Sequence, residues 1–187
     1  DPFRDFSPVM QINAFGYALN FHPSVPERSV KDLLALARAK PGVVTYGSSG
    51  IGSGFHLAGE LFQSLAKINM LHVPYKGSPP AIIDILGGRV DSMFLALGLV
   101  HQHVKSGALR LIAVTGAERD LLAPEVPTIA EAGLLGYEAS GWHGIVGPAG
   151  MPAEVVARLN GSLIRILSTP EMREIWATQG MKVVTNT

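Results

Sequence analysis

Between residues 43 and 115 the chain repeats one cadence: a short apolar, β-branched segment, a break rich in Gly, Ser or Pro, then apolar residues at helical spacing. Val43-Val44-Thr45-Tyr46 gives way to a Gly/Ser loop over 47–54, after which Phe55, Ala58, Phe62 and Leu65 mark a helix. Residues 69–73 read as the next strand. Ser78-Pro79 then starts a helix, with Ser78 as N-cap and Pro79 at the first position, and Gly87-Gly88 stops it. Residues 90–96, 99–105 and 109–114 continue as strand, short helix and strand. Strands that alternate with helices are covered on both faces by their crossovers. The cadence therefore predicts an α/β fold around a largely parallel sheet.

The flanks are built differently. Residues 9–20 are predominantly apolar (Ile12, Ala14, Phe15, Tyr17, Leu19), as in the interior of a sheet, and His22-Pro23-Ser24-Val25-Pro26 breaks that strand. Ser29-Val30-Lys31-Asp32 has capping-box form, followed by a buried stripe at Val30, Leu33, Leu34 and Ala37 that Pro41-Gly42 ends. Thr128-Ile129-Ala130-Glu131 repeats the capping pattern, with Gly133 as a C-terminal stop. Beyond Gly136 the alternation loosens. Residues 137–147 look extended, and a long helix opens at Pro152 with Val155, Val156, Leu159, Leu163, Ile166 and Leu167 on one face. A second helix runs from Thr169-Pro170 to Gly180, and a last strand is expected over 182–184.

Composition narrows the function classes. With 187 residues, 47% hydrophobic and 16% charged, the chain can bury a core and does not have the composition of a disordered segment. Its 15 basic and 15 acidic residues cancel, so no net field draws it to nucleic acid or to an anionic membrane. The lack of Cys removes disulfides, thiol catalysis and Cys-ligated zinc. No apolar run reaches the ~18 residues of a membrane-spanning helix, and no signal-peptide pattern is legible at Asp1-Pro2-Phe3-Arg4.

The segment with most chemistry is Tyr46-Gly47-Ser48-Ser49-Gly50-Ile51-Gly52-Ser53-Gly54-Phe55-His56. A Gly/Ser loop that leads from a strand into a helix offers free backbone N–H groups, hydroxyls and the positive end of the helix dipole. It suits a phosphate or carboxylate; it equally suits a plain, tight strand-to-helix turn. Named phosphate and nucleophile motifs do not fit. Ser53-Gly54 stands where a P-loop has Lys and Ser/Thr, Phe55 stands where a dinucleotide fingerprint has its third Gly, and no Gly-x-Ser-x-Gly is present in the loop. His56 and Glu60 have the spacing of a metal or acid–base pair, but an ordinary i,i+4 contact accounts for them better. His101 and His103 are expected to face solvent, and His143 beside Trp142 to pack. A second strand-to-helix junction, His72-Val73-Pro74-Tyr75-Lys76-Gly77-Ser78-Pro79, should lie beside the first and bring Tyr75 and Lys76 to it.

Together the motifs resemble one family. They are Tyr46-Gly47-Ser48-Ser49-Gly50-Ile51-Gly52-Ser53 with His56-Leu57-Ala58-Gly59-Glu60, then Val73-Pro74-Tyr75-Lys76-Gly77, then Asp84-Ile85-Leu86-Gly87-Gly88-Arg89-Val90-Asp91. Val126-Pro127-Thr128-Ile129-Ala130-Glu131-Ala132-Gly133 and Gly147-Pro148-Ala149-Gly150 extend the likeness over nearly the whole chain. In order and spacing they are similar to the extracytoplasmic solute receptors of tripartite tricarboxylate transporters, the Bug-type receptors. The resemblance implies a type II-like periplasmic binding protein, two α/β lobes that close over a small organic carboxylate, aromatic acids included. It implies a monomer, periplasmic and not itself inserted in the membrane, that passes its solute to membrane transporter subunits and has no catalytic residues, metal or cofactor. Carried over, Ser48, Ser49, Gly50, Gly52 and Ser53 hold a carboxylate, and Tyr75, Lys76 and Gly77 border the cleft. His56 and Leu95 complete the expected set. Leu95 stands where many relatives carry a polar residue, and it forms either an apolar cleft wall or part of the core.

The same resemblance implies that an N-terminal portion of roughly one hundred residues has no counterpart in this sequence. On that basis residues 22–140 are expected to form one nearly complete lobe, and 1–21 with 141–187 parts of the other. Two other functions stay open from the sequence: an enzyme on the same scaffold with His56 or His143 as base, and a truncated module that no longer binds solute.

Overall fold

The computed structural model describes residues 1–185; the chain divides into two units, Gly16–Ser140, and Asp1–Phe15 with Gly141–Thr187. The boundary falls inside strand β1, Phe6–Phe21, six residues before the expected one at residue 22.

The larger unit begins with the C-terminal end of β1 and continues through α2 (Val30–Ala39), β2 (Thr45–Ser48), α3 (Gly54–Ala66) and β3 (Leu71–Pro74). Then come α4 (Ser78–Leu86), β4 (Ser92–Ala96), α5 (Leu97–Lys105) and β5 (Arg110–Val114). The strand order is β3-β2-β4-β1-β5. Strand β2 pairs in parallel with β3 and β4, as the cadence predicts. Strand β1 is antiparallel to both β4 and β5, so the sheet is mixed. A central strand buried on both faces reads as a continuous apolar run in either direction, which is why its pattern carries no sign of polarity. Its residues Ala18, Leu19 and Phe21 are fully buried.

Capping decides the helix starts. Ser29 Oγ accepts from Asp32 N at 3.1 Å and α2 buries Val30, Leu33, Leu34 and Ala37, the expected stripe. The N-cap of α4 is Gly77, with φ 106°, and Ser78 is its first helical residue rather than its cap. The Thr128 capping box forms reciprocally, Thr128 N to Glu131 Oε2 at 2.9 Å and Glu131 N to Thr128 Oγ1 at 3.1 Å, yet it closes a single turn and no α-helix follows. The turn ends at Gly133, the expected stop, where φ is 115° and Gly133 N and Leu134 N turn back to Ala130 O and Ile129 O at 3.1 Å each.

The core lies between the sheet and the helices: Ala81 and Ile85 of α4, Met93 and Leu95 of β4, Leu97 and Val100 of α5, and Leu109. A close approach elsewhere fixes α3. A Cβ on Gly59 would lie 2.4 Å from the ring of Tyr46, so only Gly lets the helix seat on β2.

In the smaller unit, β6 (Ser140–Pro148) and β7 (Lys182–Val183) pair with β1, and α1 (Pro2–Asp5), α6 (Ala153–Leu167) and α7 (Pro170–Ala177) complete it. Only Leu167 of the α6 stripe is buried, while Val155, Leu159 and Ile166 are 42–53% exposed. No helix among the described residues is long and apolar enough to cross a membrane.

Candidate functional site: a Gly/Ser loop backed by stacked imidazoles

Strand β2 ends at Ser48 and α3 starts at Gly54, so residues 49–53 form a compact loop at the carboxyl end of a parallel strand, where α/β folds bind ligands. Gly50 and Gly52 take φ of 136° and 80°, conformations that residues with a Cβ rarely adopt. A Cβ on Gly50 would also lie 3.1 Å from Tyr75 O. Ser53 is the N-cap of α3: its Oγ accepts from His56 N at 3.3 Å. The N–H groups of Gly54 and Phe55 have no acceptor among the described residues, so the first turn of α3 presents open donors at the positive end of its dipole. Beside them Tyr17 comes so close that a Cβ on Gly54 would lie 2.4 Å from its hydroxyl. Ile51, 80% exposed, places an apolar side chain on the loop.

The second junction is laced to the first. Tyr75 N donates to Ser48 O and Gly77 N to Ser49 O, each at 3.0 Å. The Tyr75 hydroxyl donates to Asp84 Oδ2 at 2.8 Å, and Arg89 Nη1 holds the other oxygen of Asp84 at 2.8 Å. Burial, then the Asp84 carboxylate, push the Tyr75 phenol up to about 12. Its hydroxyl is thus anchored in α4, and its half-buried ring packs against the core cluster. Lys76 is exposed beside it.

The expected residues occupy four places. Ser49, Gly50, Gly52 and Ser53 form the loop, with Tyr75, Lys76 and Gly77 adjoining it through the bonds above. Ser48 is fully buried, and its hydroxyl is turned inward: it accepts from Gly50 N at 3.2 Å and meets His72 Nε2 at 2.7 Å. Leu95 is fully buried in the core cluster, the second of the two placements the sequence left open.

His56 lies under the loop. Gly52 N donates to its Nδ1 at 3.2 Å, while its Nε2 is 3.7 Å from Glu60 Oε1. The i,i+4 contact therefore forms, and among the described residues no group of three or more His, Asp or Glu could hold a metal ion. The sequence did not single out His72, whose ring stacks on His56 at 4.2 Å and on Tyr46 at 4.8 Å between centroids. Tyr46 and His72 are direct register partners across β2 and β3, and that pairing is the signal that brings them together. Tyr46 in turn donates to Glu60, and burial followed by that carboxylate raises its phenol. Burial, then the neighbouring His56, hold the His72 imidazole below its ordinary value, against a smaller opposing effect of Glu60.

The other histidines lie elsewhere. His101 and His103 are half-buried on α5. In the smaller unit His143 Nδ1 is 3.0 Å from Asn13 Oδ1, and its ring lies against Phe15. A cavity of about 430 Å³ lined by Phe21, Val25, Leu33, Val44 and Asp91 opens at the other end of β2, away from the loop.

Known proteins match this chain along its length. The model of the tripartite tricarboxylate transporter family receptor covers residues 1–187. A UPF0065 protein encoded in the tcbD–tcbE intergenic region of a Pseudomonas species is 38% identical over 96% of this chain and 54% of its own length. Among solved structures, R. palustris Rpa4515 with adipate superimposes with a TM-score of 0.94 at 35% identity, over 100% of this chain and 62% of that one. The periplasmic binding protein BugD gives 0.90 at 31% identity, over 100% of this chain and 62% of its own. MatC of Rhodopseudomonas palustris with bound malate gives 0.89 at 27%, over 97% and 62%. The chain thus spans about half the length of the curated relative and three-fifths of the solved neighbours. With a loop of open amides at the carboxyl end of β2 and a family match from end to end, the chain belongs to the receptor family of the tripartite tricarboxylate transporters.

Proposed function

We propose that this chain carries a carboxylate-binding part of an extracytoplasmic solute receptor, and that the loop 49–53 is where the carboxylate sits. The observation that carries the proposal is the open pair of amides at Gly54 and Phe55, set at the mouth of a Gly/Ser loop with no cation fixed inside it. Backbone donors at a helix start suit an anion and do not demand a counter-charge. Adipate in one neighbour and malate in another support a small dicarboxylate. Tyr75 and Gly77 wall the site, with Lys76 at its rim. The exposed Ile51 favours a solute with an apolar segment.

Binding rather than turnover is the role we assign. His56 spends its acceptor nitrogen on Gly52 N–H, so it is not set as a free base beside the loop amides. The solute would be handed to membrane subunits of a tripartite transporter, with the receptor acting as a periplasmic monomer; the periplasmic BugD supports that compartment. Titration calorimetry of the purified chain with adipate and with malate tests the reading. Saturable one-to-one heat, abolished by Gly50→Val, is expected. No heat with either acid, from protein shown to be folded by circular dichroism, would favour a module that does not bind solute.

A further inference from the structure

The receptor reading assigns no role to His72 or to the stack beneath the loop. Three rings are piled there: Tyr46 from β2, His72 from β3 and His56 from α3. Each imidazole holds a different part of the loop. His56 Nδ1 accepts the Gly52 N–H at 3.2 Å, which fixes this ring as neutral, with any proton on Nε2 toward Glu60. His72 Nε2 meets Ser48 Oγ at 2.7 Å, and that same oxygen accepts the Gly50 N–H at 3.2 Å. The two loop amides that point inward therefore end, directly or through one hydroxyl, on imidazole nitrogens. The titratable groups facing the pair are Glu60 from α3 and Tyr46 from β2, and Glu60 already accepts from the Tyr46 hydroxyl.

From this geometry we infer that His56 and His72 are positioning residues that couple anion binding at the loop to uptake of a proton by the stack. The inference rests on the receptor reading above. In the neutral stack the Gly52 amide is held inward by His56. A proton on Nδ1 ends that bond, turns the amide free to face an anion, and puts a positive charge behind the loop. Two stacked rings 4.2 Å apart do not both charge readily, so one proton is taken up. An anion on the loop stabilises the charged form, and by linkage the charged form binds the anion more tightly. A carboxylate that leaves the loop releases the proton, so a drop in acidity would promote unloading.

The test combines adipate affinity with imidazole and amide NMR between about pH 6 and pH 8, the range in which histidine titrates. The parent chain is expected to bind adipate about fivefold more tightly at the acid end, with the Gly52 amide shift following the His56 ring. His56→Asn keeps an acceptor for Gly52 N–H but no titration. It is expected to lose the rise toward the acid end, as is His72→Phe, which keeps the stacked ring. Adipate affinity that does not change with pH, or a rise that survives in both variants, overturns the inference and leaves the receptor reading intact. Absence of adipate binding at any pH while Gly52 still follows His56 overturns the receptor reading, and the coupling to anions falls with it.

Discussion

Replacing Gly59 by Ala should destabilise the larger unit, although the substitution improves helix propensity. A Cβ at this position would lie 2.4 Å from Cε2 of Tyr46 and 2.9 Å from two further ring atoms. The ring has no free direction to retreat. Tyr46 is fully buried, stacks on His72, meets Phe94 edge-on and donates to Glu60. Helix α3 must therefore move off β2. Overpacking of this kind costs about 1–3 kcal/mol, with a clash this close at the upper end, and the gain in propensity returns about 1 kcal/mol. The net loss of about 1–2 kcal/mol converts to a fall in Tm of roughly 2–8 °C for a chain of this size. Gly161 in α6 is the control, since nothing but the end of the Arg165 side chain, 3.9 Å away, meets its Cβ. Gly161→Ala should stabilise by about 0.5–1 kcal/mol. Thermal melts by circular dichroism compare the two. A Gly59→Ala protein that melts at or above the parent temperature would refute the close-packing account of α3 and, with it, the placement of His56 by that helix.

Four further outcomes are expected. Gly50→Ala puts a Cβ at φ 136° and 3.1 Å from Tyr75 O, and should weaken adipate binding by at least about tenfold, read by calorimetry. Asp91→Ala strips Thr45 N and Oγ1 of the carboxylate oxygen they share, at 2.8 and 2.7 Å, and should cost about 2–3 kcal/mol in urea unfolding. Arg110→Met removes donors to Pro23 O, Val25 O and Glu27 O at 2.8–3.1 Å, so the amides of Ser24, Val25 and Glu27 should exchange at least about tenfold faster. His72 is held below its ordinary value near 6.5, so the unfolded chain takes up the proton first as pH falls. The stability it contributes is complete above about 6.5 and lost on acidification, and His72→Phe should flatten that part of the Tm profile.

The local pattern of the sequence determined more of this protein than its flanks suggest. Strand, Gly/Ser break and helical stripe at 43–66 are enough to place an anion-type loop at a helix start, because φ above zero at Gly50 and Gly52 and the Ser53 cap are properties of a few adjacent residues. The α2 stripe follows from spacing alone for the same reason. What depends on distant pairing was not legible. The polarity of β1 is one case, since an apolar run looks the same in either direction. The inward turn of Ser48 and the burial of Leu95 were decided by sheet packing. The imidazole stack belongs to the same class. His56 and His72 are sixteen residues apart, and only the register that sets Tyr46 opposite His72, with α3 held against Tyr46 at Gly59, places the two rings under the loop they support.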